Sequence, residues 1–258
     1  MKAQGACVVA ATVALTSCVA YNTDCPPDES AVIGQTETVL DLRHSFVRTH
    51  EAPIGNLITD AFYDYLVPQG AELALVNGGS IRDRTDCSAT DFIDRGPIRL
   101  GQLVEILPFD NKVALVEVTG RELAKVLEQS VARLGDPGEP GMAGQFLQVS
   151  HLRFDVDCAQ PAQVGDQVGN RVRNIEIRSS SGVYDAWNPN ATYVVATNSF
   201  LSNGGDGYVW LRTQRPLTDP RPDFAVVASY IAAFPGRSVA PTVDGRIHLL
   251  ESCVAALP

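Results

Sequence analysis

With 258 residues, 45% of them hydrophobic, the chain is long enough to bury a sizeable core as one large domain or two small ones. A formal net charge of −10 argues against nucleic acid or an anionic membrane surface as a partner, yet a few convergent arginines would still suffice for a small anion. No internal repeat of solenoid length is visible.

Residues 1–20 read as an export signal. Lys2 is a minimal positive region, and the apolar stretch at 7–15 is too short to span a bilayer. Leu15-Thr16-Ser17-Cys18 resembles a bacterial lipoprotein cleavage box, with Cys18 as the acylated first mature residue; plain secretion with cleavage after Ala20 is the alternative. Either route exports the protein, and the first holds it in the cell envelope, at the periplasm or outer surface, by a lipid anchor alone. Residues 21–31 are polar and contain prolines, as in a tether, which leaves 32–258 as the domain. Cys25, Cys87, Cys158 and Cys253 remain, an even number that suggests two disulfides in an oxidising compartment. Of the three pairings, Cys25–Cys253 with Cys87–Cys158 is expected, because the first would tie the two ends of the chain together. No Cys-x-x-Cys pair is present for a zinc site.

Within the domain, residues 39–42 read as a strand. Pro53 suits a first helical turn, and Ile54, Leu57, Ile58, Ala61, Phe62, Tyr65 and Leu66 follow at helical spacing. The apolar run 73–76 is a buried strand that delivers Asn77 and two glycines at its end. Residues 83–97 are irregular and charged, and a short helix over 100–107 is stopped by Pro108. A strand at 113–118 leads into a capping box, Thr119-x-x-Glu122, whose helix buries Leu123, Val126, Leu127, Val131 and Leu134. Residues 135–144 are a glycine- and proline-rich loop. Strands at 146–149, 152–156, 171–177 and 193–197 follow, with a polar loop at 158–170. Asp223 starts a helix through Phe234 that buries Val226, Val227, Tyr230 and Ile231, and a last strand covers 246–250. Helices and strands that do not alternate strictly predict a layered α+β fold and not a doubly wound sheet.

Five blocks carry a resemblance. Asn198-Ser199-Phe200-Leu201-Ser202-Asn203-Gly204-Gly205-Asp206-Gly207-Tyr208 combines positive-φ-tolerant residues with one aromatic and one carboxylate. Asn77-Gly78-Gly79-Ser80-Ile81-Arg82, the helix opening at Glu51, Leu107-Pro108-Phe109-Asp110-Asn111 and Val118-Thr119-Gly120-Arg121-Glu122-Leu123 are the others. In their order along the chain, between about residues 32 and 250, they resemble the C-terminal, substrate-binding domain of the 5'-nucleotidase family. The resemblance implies an α+β fold too, one domain of layered mixed β-sheets flanked by helices, and a nucleoside 5'-phosphate or related small nucleotide as ligand.

What a nucleotide needs can be matched to residues through that resemblance. Two aromatic rings about 7 Å apart sandwich a base, and the resemblance assigns them to Phe109 and Phe200. Asp206 would accept both ribose hydroxyls, and Asn77 would meet the polar edge of a purine. Arg82, with Arg48 ahead of the first long helix, would take the phosphate, and the amides of the loop carrying Gly79 and Ser80 would form an anion nest. Ser80 stands where the family has a third glycine, and Tyr208 where it often has Phe.

No catalytic residue is expected. In the family, hydrolysis belongs to a metallophosphatase domain whose Asp, His and Asn ligands hold two metals roughly 3.5–4 Å apart. Here the four histidines are scattered, and neither Asp-x-His nor Gly-Asn-His occurs. No cofactor is therefore expected on this chain, and divalent metals only on a separate metallophosphatase partner, the pair serving nucleotide catabolism. A stand-alone, non-catalytic nucleoside- or nucleotide-binding surface lipoprotein is the alternative.

Overall fold

The computed structural model describes residues 31–83, 90–135, 143–165, 167–212, 217–254 and 257. The leader, Cys18, most of the tether, Cys25, Cys87 and most of the glycine- and proline-rich loop thus lie outside the described residues.

The centre is a five-stranded sheet. In spatial order it runs β12 (Leu217–Pro222), β6 (Lys112–Thr119), β11 (Thr192–Asn198), β3 (Leu73–Asn77) and β7 (Leu147–Ser150). Only β11 and β3 pair in parallel; the other neighbours are antiparallel. Strand alternation divides the side chains between two cores. Ala74, Val76, Val113 and Leu115 face one, while Leu73, Leu75, Val116 and Val118 face the other.

The first core is closed by α2 (Pro53–Leu66) and α6 (Asp223–Ala233). The expected apolar stripe of α2 is its buried side, with Pro53 at the start where a missing N–H costs nothing. Beside these helices lies a three-stranded sheet of β13 (Ser238–Val239), β1 (Val32–Thr36) and β5 (Gly96–Arg99). A two-stranded pairing of β2 (Leu40–Asp41) with β4 (Phe92–Ile93) completes this side. The segment 83–97, read as irregular, therefore contains β4 and the start of β5. The short helices α1 (His44–Val47) and α3 (Leu100–Ile106) precede α2 and follow β5.

The second core lies under α4 (Gly120–Val131). Its capping box is formed: the Thr119 hydroxyl accepts from the Glu122 amide at 3.3 Å, and the Glu122 carboxylate accepts from the Thr119 amide at 2.8 Å. The same core is closed by a four-stranded sheet ordered β10 (Tyr184–Ala186), β9 (Val172–Arg178), β8 (Leu152–Val156) and β14 (Ile247–Leu249). A single residue, His151 at φ 59°, carries the chain from β7 in the central sheet to β8 in this one.

The helical turn α7 (Glu251–Val254) is tied by a disulfide between Cys158 and Cys253. The expected pairing is therefore wrong in both its bridges. Cys158 lies just beyond the end of β8, and β14 beside β8 brings Cys253 to it, a neighbourhood set by sheet order and invisible in spacing along the chain.

Candidate functional site

Strands β3 and β11 run in parallel, so their C-terminal residues Asn77 and Asn198 emerge together. The Asn198 amide donates to the Asn77 side-chain oxygen at 3.2 Å and to the Ser80 hydroxyl at 3.1 Å. Ser80 in turn donates to that Asn77 oxygen. The Asn77 amide donates to Asp206 Oδ2 at 2.7 Å. Asn198 Oδ1 accepts from the Leu201 amide at 2.9 Å and so caps α5 (Ser199–Ser202). Asn77 is only 2% exposed. It touches the cavity wall, but its amide, expected from the sequence to face a purine edge, is engaged by Ser80, Asn198 and Asp206.

The loop after β3 is a close-packed joint. The Gly78 and Gly79 amides donate to the carbonyls of Phe146 and Gly144 at 2.6 and 2.7 Å. Those amides, read from the sequence as an anion nest, are therefore already engaged. A Cβ on Gly78 would lie 2.8 Å from the Val47 carbonyl oxygen, so glycine is required for the approach. Positive charge at this end comes instead from two guanidinium groups. Arg48 is buried, and burial first, then the neighbouring Arg82, lowers its pKa; as an arginine it stays cationic. Arg82 lies over the Phe109 ring, 5.6 Å from its centroid.

Both phenylalanines are exposed, Phe109 at 53% and Phe200 at 42%, in a chain that buries most large apolar side chains. Phe109 follows the buried Leu107 on a turn where Asp110 takes φ 51°. Phe200 projects from α5 and rests on Gly205, where a Cβ would come within 2.5 Å of the ring. The turn beyond it places Gly204, Asp206 and Gly207 at φ 86°, 53° and 81°. Burial pushes the Asp206 pKa up, while the Asn77 hydrogen bond and the nearby Arg48 pull it back. Tyr208 is fully buried, and its hydroxyl donates to the Gln145 carbonyl, a bond Phe cannot make.

The structure brings all eight candidate ligand residues to one cavity of about 420 Å³: Arg48, Asn77, Gly79, Ser80, Arg82, Phe109, Phe200 and Asp206 line it. Asn111 and Gly144 line it too, and neither was read from the sequence as a ligand residue. Asn111 stands two places after Phe109, so its block was a usable signal; Gly144 enters only because the Gly79 amide bonds it.

Two other concavities are less suited to a small anion or heterocycle. A groove of about 910 Å³ lies against the four-stranded sheet, but its Arg153 pairs with Glu176 and its His248 with Asp155. In a polar cleft of about 240 Å³ the Arg246 fork is held by Asp60, at 2.7 and 2.9 Å. Among the described residues, no group of three or more His, Cys, Asp or Glu side chains is arranged to hold a metal ion.

Comparison with known proteins bears on this geometry. Residues 32–213 match the family model described as 5'-nucleotidase, C-terminal domain. The chain is 31% identical over 217 residues to the trifunctional nucleotide phosphoesterase protein YfkN of Bacillus subtilis, covering 83% of this chain and 14% of that one. It is 31% identical over 238 residues to the 5'-nucleotidase of Diplobatis ommata, covering 88% and 38% respectively. Among solved structures, a 5'-nucleotidase precursor from Thermus thermophilus superposes with a TM-score of 0.74 at 33% identity, over 85% of this chain and 39% of its own. The chain thus spans well under half the length of each of these relatives.

Proposed function

The chain belongs to the 5'-nucleotidase C-terminal domain family, and on that premise we propose that its cavity binds a nucleoside 5'-phosphate. The base stacks between Phe109 and Phe200, Asp206 accepts the ribose hydroxyls, and Arg48 and Arg82 take the phosphate. Asn77 and Ser80 orient Asp206 from behind. The observation that carries this reading is two exposed aromatic rings, from distant points of the chain, lining the same cavity as two guanidinium groups and a half-buried carboxylate. Hydrolysis would fall to a separate metallophosphatase chain that supplies the divalent metals. Residues 1–20 would direct export, with Cys18 as the lipid attachment point in the cell envelope. No helix among the described residues is long and apolar enough to cross a membrane.

Calorimetric titration with AMP and with adenosine tests the assignment. AMP should bind more tightly, and Arg82→Ala should remove most of that advantage, roughly tenfold for a charge-assisted hydrogen bond. One observation favours the stand-alone nucleoside binder instead: Arg82 already lies over Phe109, where it can stack as well as pair with phosphate. Equal affinity for AMP and adenosine would select that reading, and binding of neither would refute both.

A further inference from the structure

Asp206 occupies a left-handed conformation, φ 53°, which Asp tolerates better than most residues with a Cβ and which neighbouring groups can fix. Two side chains do so. The Asn77 amide binds the carboxylate at 2.7 Å, and the Gln129 amide binds the Asp206 carbonyl oxygen at 3.0 Å. Gln129 belongs to α4, whose Leu123, Val126, Leu127 and Val131 are fixed in the second core, so its amide is presented from a rigid base. The side chain is itself oriented: its Oε1 accepts from Gln163 Nε2 at 2.8 Å. The Gln129 main-chain carbonyl accepts from the Gln145 side chain at 2.6 Å. The turn rests directly on this amide, since a Cβ on Gly207 would lie 2.8 Å from Gln129 Nε2. Gln129 does not line the cavity.

We propose that Gln129 is a positioning residue: it clamps the Gly205–Gly207 turn so that the Asp206 carboxylate meets the ribose hydroxyls. The inference rests on the nucleotide reading above and adds to it a residue that acts only through Asp206.

The test titrates the full chain with adenosine and with 2',3'-dideoxyadenosine, which lacks both hydroxyls, in wild type, Asp206→Asn, Gln129→Met and Gln129→Glu. Met keeps length and volume, and Glu offers acceptors where the amide donated. Wild type should prefer adenosine by about tenfold, the worth of hydrogen bonds to a charged acceptor. Both Gln129 variants should lose that preference while their affinity for dideoxyadenosine stays within about twofold of wild type. If they keep the preference while Asp206→Asn loses it, the nucleotide reading stands and the positioning role is refuted. Equal weakening for both ligands, or loss of folding in both Gln129 variants, would reduce Gln129 to a structural residue and overturn the proposal. A wild type with no preference would refute the ribose contact itself, and the positioning role with it.

Discussion

Phe200 and Gly205 work as a unit: the ring holds its place at the cavity because the residue it rests on has no side chain. A large apolar side chain left 42% exposed loses the burial energy its neighbours gain, so it should be replaceable at little cost to folding. Phe200→Ala should therefore leave the melting temperature nearly unchanged yet weaken nucleoside binding by about ten- to a hundredfold, the range expected for losing one base stack. Gly205→Val should do the same from the other side by displacing the ring. A Phe200→Ala protein that binds adenosine as tightly as wild type would remove the stacking platform from the account. Ser80, a departure from its family's pattern, lines the cavity yet uses its hydroxyl inward, joining Asn77 to Asn198.

Helix α6 shows how an element carries a titration. Asp223 opens it, is 1% exposed, and has its pKa pushed up to about 7. Burial is the main cause, with Asp110 adding to it; the Phe224 amide and Lys112 oppose it. A carboxyl whose folded pKa lies above its unfolded value binds more protons when folded, so stability falls as pH rises through the window from about 4 to about 7. Asp223→Asn keeps an acceptor for the Phe224 amide and removes the charge. Urea unfolding at pH 5 and pH 8 should show the wild type losing about 2 kcal/mol more than the variant between those values. A wild-type pH dependence that survives the substitution unchanged would place the effect elsewhere. At α4 the capping box satisfies amide groups at the helix start, and the helix then offers a fixed base to the ligand turn.

The whole molecule is held by links that join its layers. Buried Gln148 donates to the carbonyls of Val47 and His50 and accepts from the Ala52 amide, tying β7 to the approach of α2. Buried Glu51 gathers the amides of Asp244, Gly245 and Arg246. The Cys158–Cys253 bridge closes a span of 95 residues. Replacing both cysteines by serine should cost about 2–4 kcal/mol, chiefly by freeing the unfolded chain. Denaturant unfolding with and without reductant measures it: reductant should destabilise the wild type by more than it does the double variant, the difference being the share of this bridge. Insensitivity of the wild type would mean that this bridge adds nothing.

The sequence by itself determined the elements whose pattern is local. The stripe of α2 and the alternation of β8 each record one face meeting one core, the unbroken apolar run of β3 records two faces meeting two cores, and the capping box marks where α4 begins. Most of the cavity residues were legible as well, because they stand in short blocks that resemble the family, whereas Arg48 was read only from its place ahead of α2 and Gly144 was missed. Elements without a local pattern were hidden. Strand β12 contains Pro220 and Pro222 and survives as an edge strand, where a missing N–H is tolerated. Strand β1 contains Gly34, where a Cβ would lie 2.4 Å from the Ile231 side chain, so its glycine answers to α6 and weakens the strand signal. Tertiary structure alone decided which cysteines pair, which polar groups are engaged inside the protein, and how Asp206 is held. Those outcomes depend on strand order and on side chains from distant segments arriving at one place, and no spacing along a chain encodes a distance across a sheet.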